Sequence, residues 1–439
     1  MLQAYVAGQT YDETVPESRR SQDSAHTLVE VCAGAGGQSL GLHKAGFSHA
    51  LAVEIDETAA QTLRSNLGVD VAVGDVADRT LWHPREYEGV DMFAGGVPCP
   101  PFSAAGKQLG TGDERDLFAW AIEQVGVIQP RAVMLENVRG LSSPRFAAYR
   151  QRILDRLDDL GYVGEWKLLH AADFGVPQLR PRFVLVAMRA DEMRYFHWPE
   201  PRPGARITVG EALHDLMAAD GWKYADAWRE AANDIGPTLV GGSKKHGGAD
   251  LGPTRAKAAW AKLGVDGRGI ADTRPNRQSP SFRTAPPRLT IEMAARVQGW
   301  KAEDAYTFAG RKTSQYRQIG NAFPPPVAEA LGRSVRAALT QEGIARVVQP
   351  DGVSLQDPVY RALASSDRPL SLDELVGAYN EGSTAAVQQR LAAIGRDFEL
   401  HRFDIDGSER YLLGDFRGFT GQEDHWRHEV ITRFRSKVS

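Results

Sequence analysis

The sequence predicts an α/β fold, on three observations. Short apolar or β-branched runs recur at Thr27–Cys32, Ala50–Glu54, Asp70–Val76 and Val90–Ala94. Helical segments alternate with them, first at Gln38 to Ala45 and later at Asp116 to Ile128. The run ends carry glycines or acids, the residues that approach a nucleotide at one edge of a parallel sheet.

The first run, Thr27–Cys32, ends in Ala33-Gly34-Ala35-Gly36-Gly37 and opens directly into a helix. Glycines let the backbone approach a ligand there, and helix N–H groups point at it. The second run ends in Glu54, about 20 residues after the glycines, where a carboxylate meets ribose hydroxyls. The third carries Asp75, suited to accepting from an adenine amino group. Together these ends read as an adenosine pocket, compatible with a dinucleotide or with S-adenosylmethionine. The fourth leads into Gly95-Gly96-Val97-Pro98-Cys99-Pro100-Pro101-Phe102-Ser103. Glycine and proline end the strand in a stiff loop with Cys99 at its tip, a setting that suits a nucleophile.

Ser103 to Arg115 follows, with Gly106, Lys107, Gly110 and Gly112; its glycines permit closure and its charges suit phosphate. Arg131–Leu135 is another buried strand, ending in Glu136-Asn137-Val138. Pro144 to Leu160 reads as a helix with Ser143 as N-cap. Val163 to His170 is strand-like, and Gln178-Leu179-Arg180-Pro181-Arg182 enters the strand Phe183 to Met188. The alternate spacing of Arg180 and Arg182 puts both guanidinium groups on one side.

Composition bounds the class. The 439 residues are 42% hydrophobic and 25% charged, and no apolar run approaches the ~18 residues of a membrane span. The segment 1–25 reads as a flexible leader without a secretory core, and Cys32 and Cys99 need no disulfide; both suit a cytoplasmic protein. The net charge of −4 is not that of a general polyanion binder. Charge is concentrated instead: from Gly241 to Arg288 ten Lys or Arg face only Asp250, Asp266 and Asp272. That local excess is a nucleic-acid footprint.

The ordered set Cys32-Ala-Gly-Ala-Gly-Gly37, Pro98-Cys99, Glu136-Asn137-Val138, Gln178-x-Arg180-x-Arg182 and Gly320-Asn321-Ala322 resembles the DNA cytosine carbon-5 methyltransferases, over about residues 26 to 345. The resemblance implies a Rossmann-like catalytic domain (26–190, returning at 311–345) and S-adenosylmethionine as methyl donor. It also implies a smaller target-recognition domain inserted at 191–310. Cys99 would be the nucleophile, with Glu136 on the cytosine ring nitrogen and Asn137 supporting the pocket. Arg182 would meet the base carbonyl and Arg180 would shape the site. Cys32, Ala33, Gly34, Gly36, Gly37, Glu54, Ile55, Asp75, Val76, Pro98, Leu117, Asn321 and Ala322 would line the cofactor pocket. Ser103, Lys107, Arg115, Lys244, Lys245, His246 and Arg255 would meet DNA. The chain departs from the family's usual residues at Glu30 (Asp), Cys32 (Phe), Ile55 (aromatic) and Pro100 (Gln).

Residues 350–439 lie beyond that unit. Three short helices, Asp357 to Ser365, Ser371 to Tyr379 and Thr384 to Gly395, precede strands Phe398 to Phe403 and Glu409 to Leu413. This order suggests a winged-helix-like module. Its third helix would offer Gln388, Gln389 and Arg390 to DNA, although acids crowd the following strands. The expected protein is a monomeric modification enzyme acting on a short site in double-stranded DNA, with a cognate restriction endonuclease as a further partner. Two alternatives compete: a tRNA cytosine methyltransferase, which a short and less basic insert would mark, and a catalytically silent DNA-binding regulator, which intact Cys99, Glu136 and Arg182 oppose.

Overall fold

The structure, a computed structural model, describes residues 26–98, 115–201, 204, 206–241, 249–348, 357–379 and 383–417. Its first half alternates as the sequence pattern requires: β1 (His26–Val31), α1 (Gly37–Lys44), β2 (Phe47–Glu54), α2 (Glu57–Leu67), β3 (Val71–Val73), β4 (Met92–Gly95), α3 (Arg115–Ile128), β5 (Ala132–Val138), α4 (Ala147–Asp159), β6 (Val163–His170) and β7 (Pro181–Met188). These strands form one sheet in the order β3-β2-β1-β4-β5-β7-β6. It is parallel from β3 to β5, and β7 runs antiparallel to both its neighbours.

Alternation along the strands builds both layers. Val29, Val31, Phe93, Val133, Leu135, Leu185 and Ala187 face α3 and α4 in one buried cluster. Leu28, Met92, Ala94, Met134, Val184 and Val186 face α1 and the later helix Pro325–Leu339 in another. Both faces are covered, which explains the nearly unbroken apolar runs of the central strands.

One helix begins later than its sequence suggests. Pro144–Phe146 is a 3₁₀ turn and α4 starts only at Ala147, with Ser143 making no side-chain cap. Arg150 reaches back to take the carbonyls of Leu141 at 2.7 Å and Ser143 at 2.8 Å, holding this approach in a tighter winding than an α-helix.

The next stretch contains α5 (Ala190–Met193), α6 (Val209–Ala218), α7 (Ala225–Ala231), α8 (Thr254–Lys262), α9 (Ile291–Gln298), α10 (Lys312–Asn321) and α11 (Pro325–Leu339). Among its described residues no named strand occurs; only isolated bridges such as Gln178–Gly236 do. Trp222, Trp228, Trp260, Val265, Leu289, Met293, Tyr316 and Ile319 share a buried cluster that reaches Ala35, Leu40 and Ala59 of the sheet half. Capping residues set the helix starts: Thr208 with Glu211 on α6, and Thr290 on α9. α11 packs lengthwise on α1.

The tail forms α12 (Pro358–Ala364), β8 (Leu370–Ser371), α13 (Leu372–Ala378), α14 (Thr384–Asp397), β9 (Phe398–Ile405) and β10 (Ser408–Phe416), with a small antiparallel sheet ordered β8-β10-β9. Three helices and a hairpin therefore occur in the expected order. Their orientation corrects one expectation. Arg390 of α14 is only partly exposed and is engaged within the protein: it pairs with Asp357 at 3.3 Å and donates to the Pro144 carbonyl at 3.2 Å. Val387, Leu391 and Ile394 join the same buried cluster as α3 and α4, so the tail completes that layer. Among the described residues no helix is long and apolar enough to cross a membrane.

Candidate active site

The C-terminal ends of β1, β2, β4 and β5 open onto one cavity of about 490 Å³. The chain after β1 turns through Cys32, Gly34 and Gly36, all at positive φ (52°, 58° and 83°). Cys32 is strained there, since a side chain disfavours this region, whereas the glycines adopt it freely. The turn exposes the Gly34 amide, which donates to Glu54 Oε2 at 2.7 Å, while the Asp56 amide donates to Oε1 at 2.8 Å. Burial pushes the Glu54 carboxyl above its usual range against these two bonds.

Every residue expected in a cofactor pocket lines this cavity except Gly36. Gly36 lies beneath Tyr306, whose hydroxyl donates to the Ala35 carbonyl at 2.7 Å and clamps the glycine turn. Asp75 is buried beside Val76, and Ile55 is exposed at 57%, an apolar wall open to a planar ring. Sequence reading missed Glu30, Gln38, Asp56, Arg317, Gln318 and Phe323, which also line it. The α10 residues come from far along the chain. Only their spacing ahead of Asn321 on one helix face could have indicated them.

Glu136 and Gly96 reach the same cavity from β5 and the end of β4. The Glu136 Oε1 lies 2.6 Å from Arg182 Nε, both side chains being nearly buried. The contact is an ion pair rather than an aligned hydrogen bond. Burial raises the Glu136 carboxyl above the usual carboxylate range, opposed first by Arg182 and then by Arg180. Asn137 is a staple: its amide donates to the Val97 carbonyl at 3.1 Å, and its carbonyl accepts from Val138 N at 2.8 Å. It thereby ties the end of β5 to the chain entering Pro98.

Arg180 and Arg182 part company. Arg182 turns to Glu136, whereas Arg180, 1% exposed, donates to the carbonyls of Leu239 (2.7 Å), Gly320 and Ala322 (both 2.8 Å). Beside it, buried Gln178 accepts from Leu239 N at 3.0 Å and donates to the Val297 carbonyl at 2.9 Å. Gly241 and Gly320 cross so closely that a Cβ on Gly320 would sit 2.4 Å from Gly241 N. Arg180 is thus a strut between the segment at Leu239 and the cavity's α10–α11 lip.

Cys99, Ser103, Lys107, Lys244, Lys245 and His246 lie outside the described residues, as does the side chain of Arg115. Arg255 is exposed on α8. Part of the inserted charge is consumed locally: Lys257 pairs with Asp250, Arg268 and Arg288 with Asp266, and Arg274 with Glu292. Lys262, Arg277 and Arg283 remain exposed with Arg255.

Comparison with known proteins identifies the family. The family model for C-5 cytosine-specific DNA methylase matches residues 26–337. The type II methyltransferase M.NaeI of Lentzea aerocolonigenes is 60% identical over 414 residues, covering 94% of this chain and 99% of that relative. M.NgoMIV of Neisseria gonorrhoeae, another type II methyltransferase, is 50% identical over 320 residues, 72% of this chain and 99% of that one. A crystal structure described as a prophage-encoded DNA modification methyltransferase (E. coli) shares the fold at 21% identity and TM-score 0.51, covering 72% of this chain and 100% of that one. The chain belongs to the C-5 cytosine-specific DNA methylase family and is a DNA cytosine methyltransferase.

Proposed function

We propose that the protein methylates carbon 5 of a flipped-out cytosine within a short duplex sequence, as the modification enzyme of a restriction–modification system. The observation that carries this reading is the opening of Glu136, paired with Arg182, onto the cavity that Glu54 and Asp75 also line. The cavity suits S-adenosylmethionine: Glu54 would hold the ribose hydroxyls and Asp75 the adenine amino group, with Ile55 and Leu117 as apolar walls for the ring. When bound, that cofactor supplies an electrophilic methyl group on a sulfonium.

Carbon 5 of cytosine is a weak nucleophile until a group adds at carbon 6. The thiolate of Cys99 forms that carbon–sulfur bond, and the displaced electron pair moves toward carbon 5 and the ring nitrogen. Once the base parts Glu136 from Arg182, the carboxylate, whose proton affinity burial raises, takes up a proton from solvent. It donates that proton to the ring nitrogen as charge develops, and receives it back when the carbon–sulfur bond breaks. Arg182 hydrogen-bonds the base carbonyl once the base separates it from Glu136. Carbon 5 then accepts the methyl, a base removes its proton, and elimination breaks the carbon–sulfur bond to release Cys99. The target base cannot be reached within the stack, so flipping it costs a few kcal/mol, repaid by the pocket.

The test is a duplex carrying 5-fluorocytosine at the target, incubated with protein and cofactor. Fluorine does not leave as a proton does, so a covalent complex stable to denaturation is expected from the wild type and none from Cys99→Ala. Bisulfite sequencing of DNA from expressing cells should show protection at one short motif. Equal methylation by Cys99→Ala would overturn the covalent mechanism.

A further inference from the structure

The small sheet of the tail leaves one edge bare. β10 lies between β8 and β9, and β8 covers it only at Leu370 and Ser371. β9 pairs with β10 from Phe398 to Ile405, and among the described residues no strand pairs with its other side. That side offers a row of backbone N–H and C=O groups, the template on which a further strand adds. Alternation turns Phe398 and Leu400 toward the core, so Glu399, His401, Phe403 and Ile405 share the opposite face. Phe403 and Ile405 are 41% and 40% exposed, and neither joins a buried cluster. A free edge bearing exposed apolar side chains invites pairing with another chain unless something covers it.

Charge and chain path select what covers it. From Phe398 to Glu409 four acids, Glu399, Asp404, Asp406 and Glu409, face one cation, Arg402. Asp404 and Glu409 are register partners across the hairpin, an opposition of like charges that a neighbouring cation relieves. Such a surface repels phosphate, so DNA is not its partner. The described chain ends at Arg417, whose amide donates to the Asp397 carbonyl at 2.9 Å and whose Nε donates to the Phe398 carbonyl at 3.1 Å. The chain therefore leaves the sheet beside the first residue of β9. Residues 418–439 lie outside the described residues, and their sequence carries Val430-Ile431-Thr432-Arg433-Phe434-Arg435-Ser436-Lys437-Val438. This run has no acid, proline or glycine, and Val, Ile, Thr and Phe favour strands. Its alternation sets Ile431, Arg433, Arg435 and Lys437 on one side, and Val430, Thr432 and Phe434 on the other. The twelve residues 418–429 can span about 40 Å, against about 26 Å for β9, so the run reaches either end of the edge.

We propose that the segment Val430–Val438 of this same chain adds to β9 as a fourth strand of the tail sheet. Side chains opposite one another across a ladder share a face of the sheet. Phe434 then lies against Phe403 and Ile405, and Arg433 and Arg435 flank Asp404 and Glu409. A slip of one residue would set the arginines against Phe403 and Ile405 and Phe434 among the acids, so apolar pattern and charge select the same register. The chain's own end thereby occupies an edge that would otherwise recruit a second copy.

Hydrogen–deuterium exchange on the full chain, followed over β9, tests the docking. The alternate β9 amides that do not bond β10 should be protected in the wild type. Phe434→Asp, and separately Arg433→Glu with Arg435→Glu, should speed exchange at those amides by at least ~10-fold. Phe434→Leu, which keeps an apolar side chain, should stay within ~2-fold of the wild type. Exchange in α14 and at the β9 amides bonded to β10 should not change, which separates undocking from unfolding. Alternate amides that exchange at the open-chain rate in the wild type, or that stay slow in Phe434→Asp, would overturn the proposal. Protection that rises with protein concentration, together with dimers in sedimentation velocity, would give the edge to a second copy and overturn it as well.

Discussion

Glu136 Oε1 sits 2.6 Å from Arg182 Nε, so the acid and the cation that serve the base in the proposed mechanism neutralise one another in its absence. A flipped cytosine must separate them, presenting its ring nitrogen to one and its carbonyl to the other. Glu136→Gln keeps the shape and an acceptor for Arg182 but cannot release a proton. Methyl transfer should fall by about 10²–10⁴-fold, the usual worth of a placed acid. DNA affinity, measured by fluorescence anisotropy, should change less than about 3-fold. An unchanged single-turnover rate would remove Glu136 from the chemistry.

The strand ends were legible because function and fold use the same residues there. Gly34, Glu54, Asp75 and Glu136 each follow an apolar run, and a parallel sheet brings such ends to one edge. Gln38 and Gln318 were not legible, since a polar residue on a helix face reads as solvated until another segment closes over it. Glu30 is of the same kind: its burial comes from His49 on β2 and Ser39 on α1. In the tail, the stripe Val387, Leu391, Ile394 announced a buried face on α14 but not what covers it. The answer, α4 and the turn at Pro144, required contacts between segments about 240 residues apart, and these turned Arg390 inward.

Arg180 carries a structural prediction. Its guanidinium joins Leu239, Gly320 and Ala322, three carbonyls otherwise without that donor in a buried setting. Arg180→Met should cost about 3–5 kcal/mol in urea unfolding, because a buried group that loses its partner keeps its desolvation penalty. Arg180→Lys, with one compact ammonium, should recover only part. A loss below about 1 kcal/mol in Arg180→Met would show that the three segments hold together without it.

The pair of His43 with His49 predicts an acid-sensitive stability. The folded-state pKa of His43 is about 4 against an ordinary 6.5, because burial and then His49 disfavour its charge. Between these values the unfolded chain binds a proton that the folded chain refuses. Stability should therefore fall as pH drops from about 6.5 and stop falling, on this account, near 4. The amount is about 2 kcal/mol once the ring's partial contact with solvent is allowed for. His43→Gln keeps an amide able to hydrogen-bond His49 but does not titrate, so its pH–stability curve should be flatter across that window. Parallel curves for the two proteins would assign the acid sensitivity elsewhere.

The tail should be dispensable for site choice but not for stability. Tyr360 donates to Asp155 of α4 at 2.9 Å, and Phe416 packs on Tyr149 with ring centroids 5.5 Å apart. Tyr360, Phe398 and Phe416 pack in sequence as tilted pairs, with centroid separations of 5.2 Å and 5.0 Å. These rings cover one end of the layer that holds α3 and α4 against the sheet, on the side away from α1 and α11. None of the described tail residues lines the cavity. A chain ending at Gln349 should therefore methylate the same sites in bisulfite sequencing. It should also melt several degrees lower, since a few kcal/mol shift a domain of this size by about 2–4 °C each. Leu157→Asp, which places a charge in that layer, would not distinguish the roles; Tyr360→Phe would, losing only the bond to Asp155. That variant should cost about 1 kcal/mol in the full chain with the methylated sites unchanged. A soluble, folded chain ending at Gln349 that methylates nothing, or methylates other sites, would make the tail part of the catalytic or recognition unit.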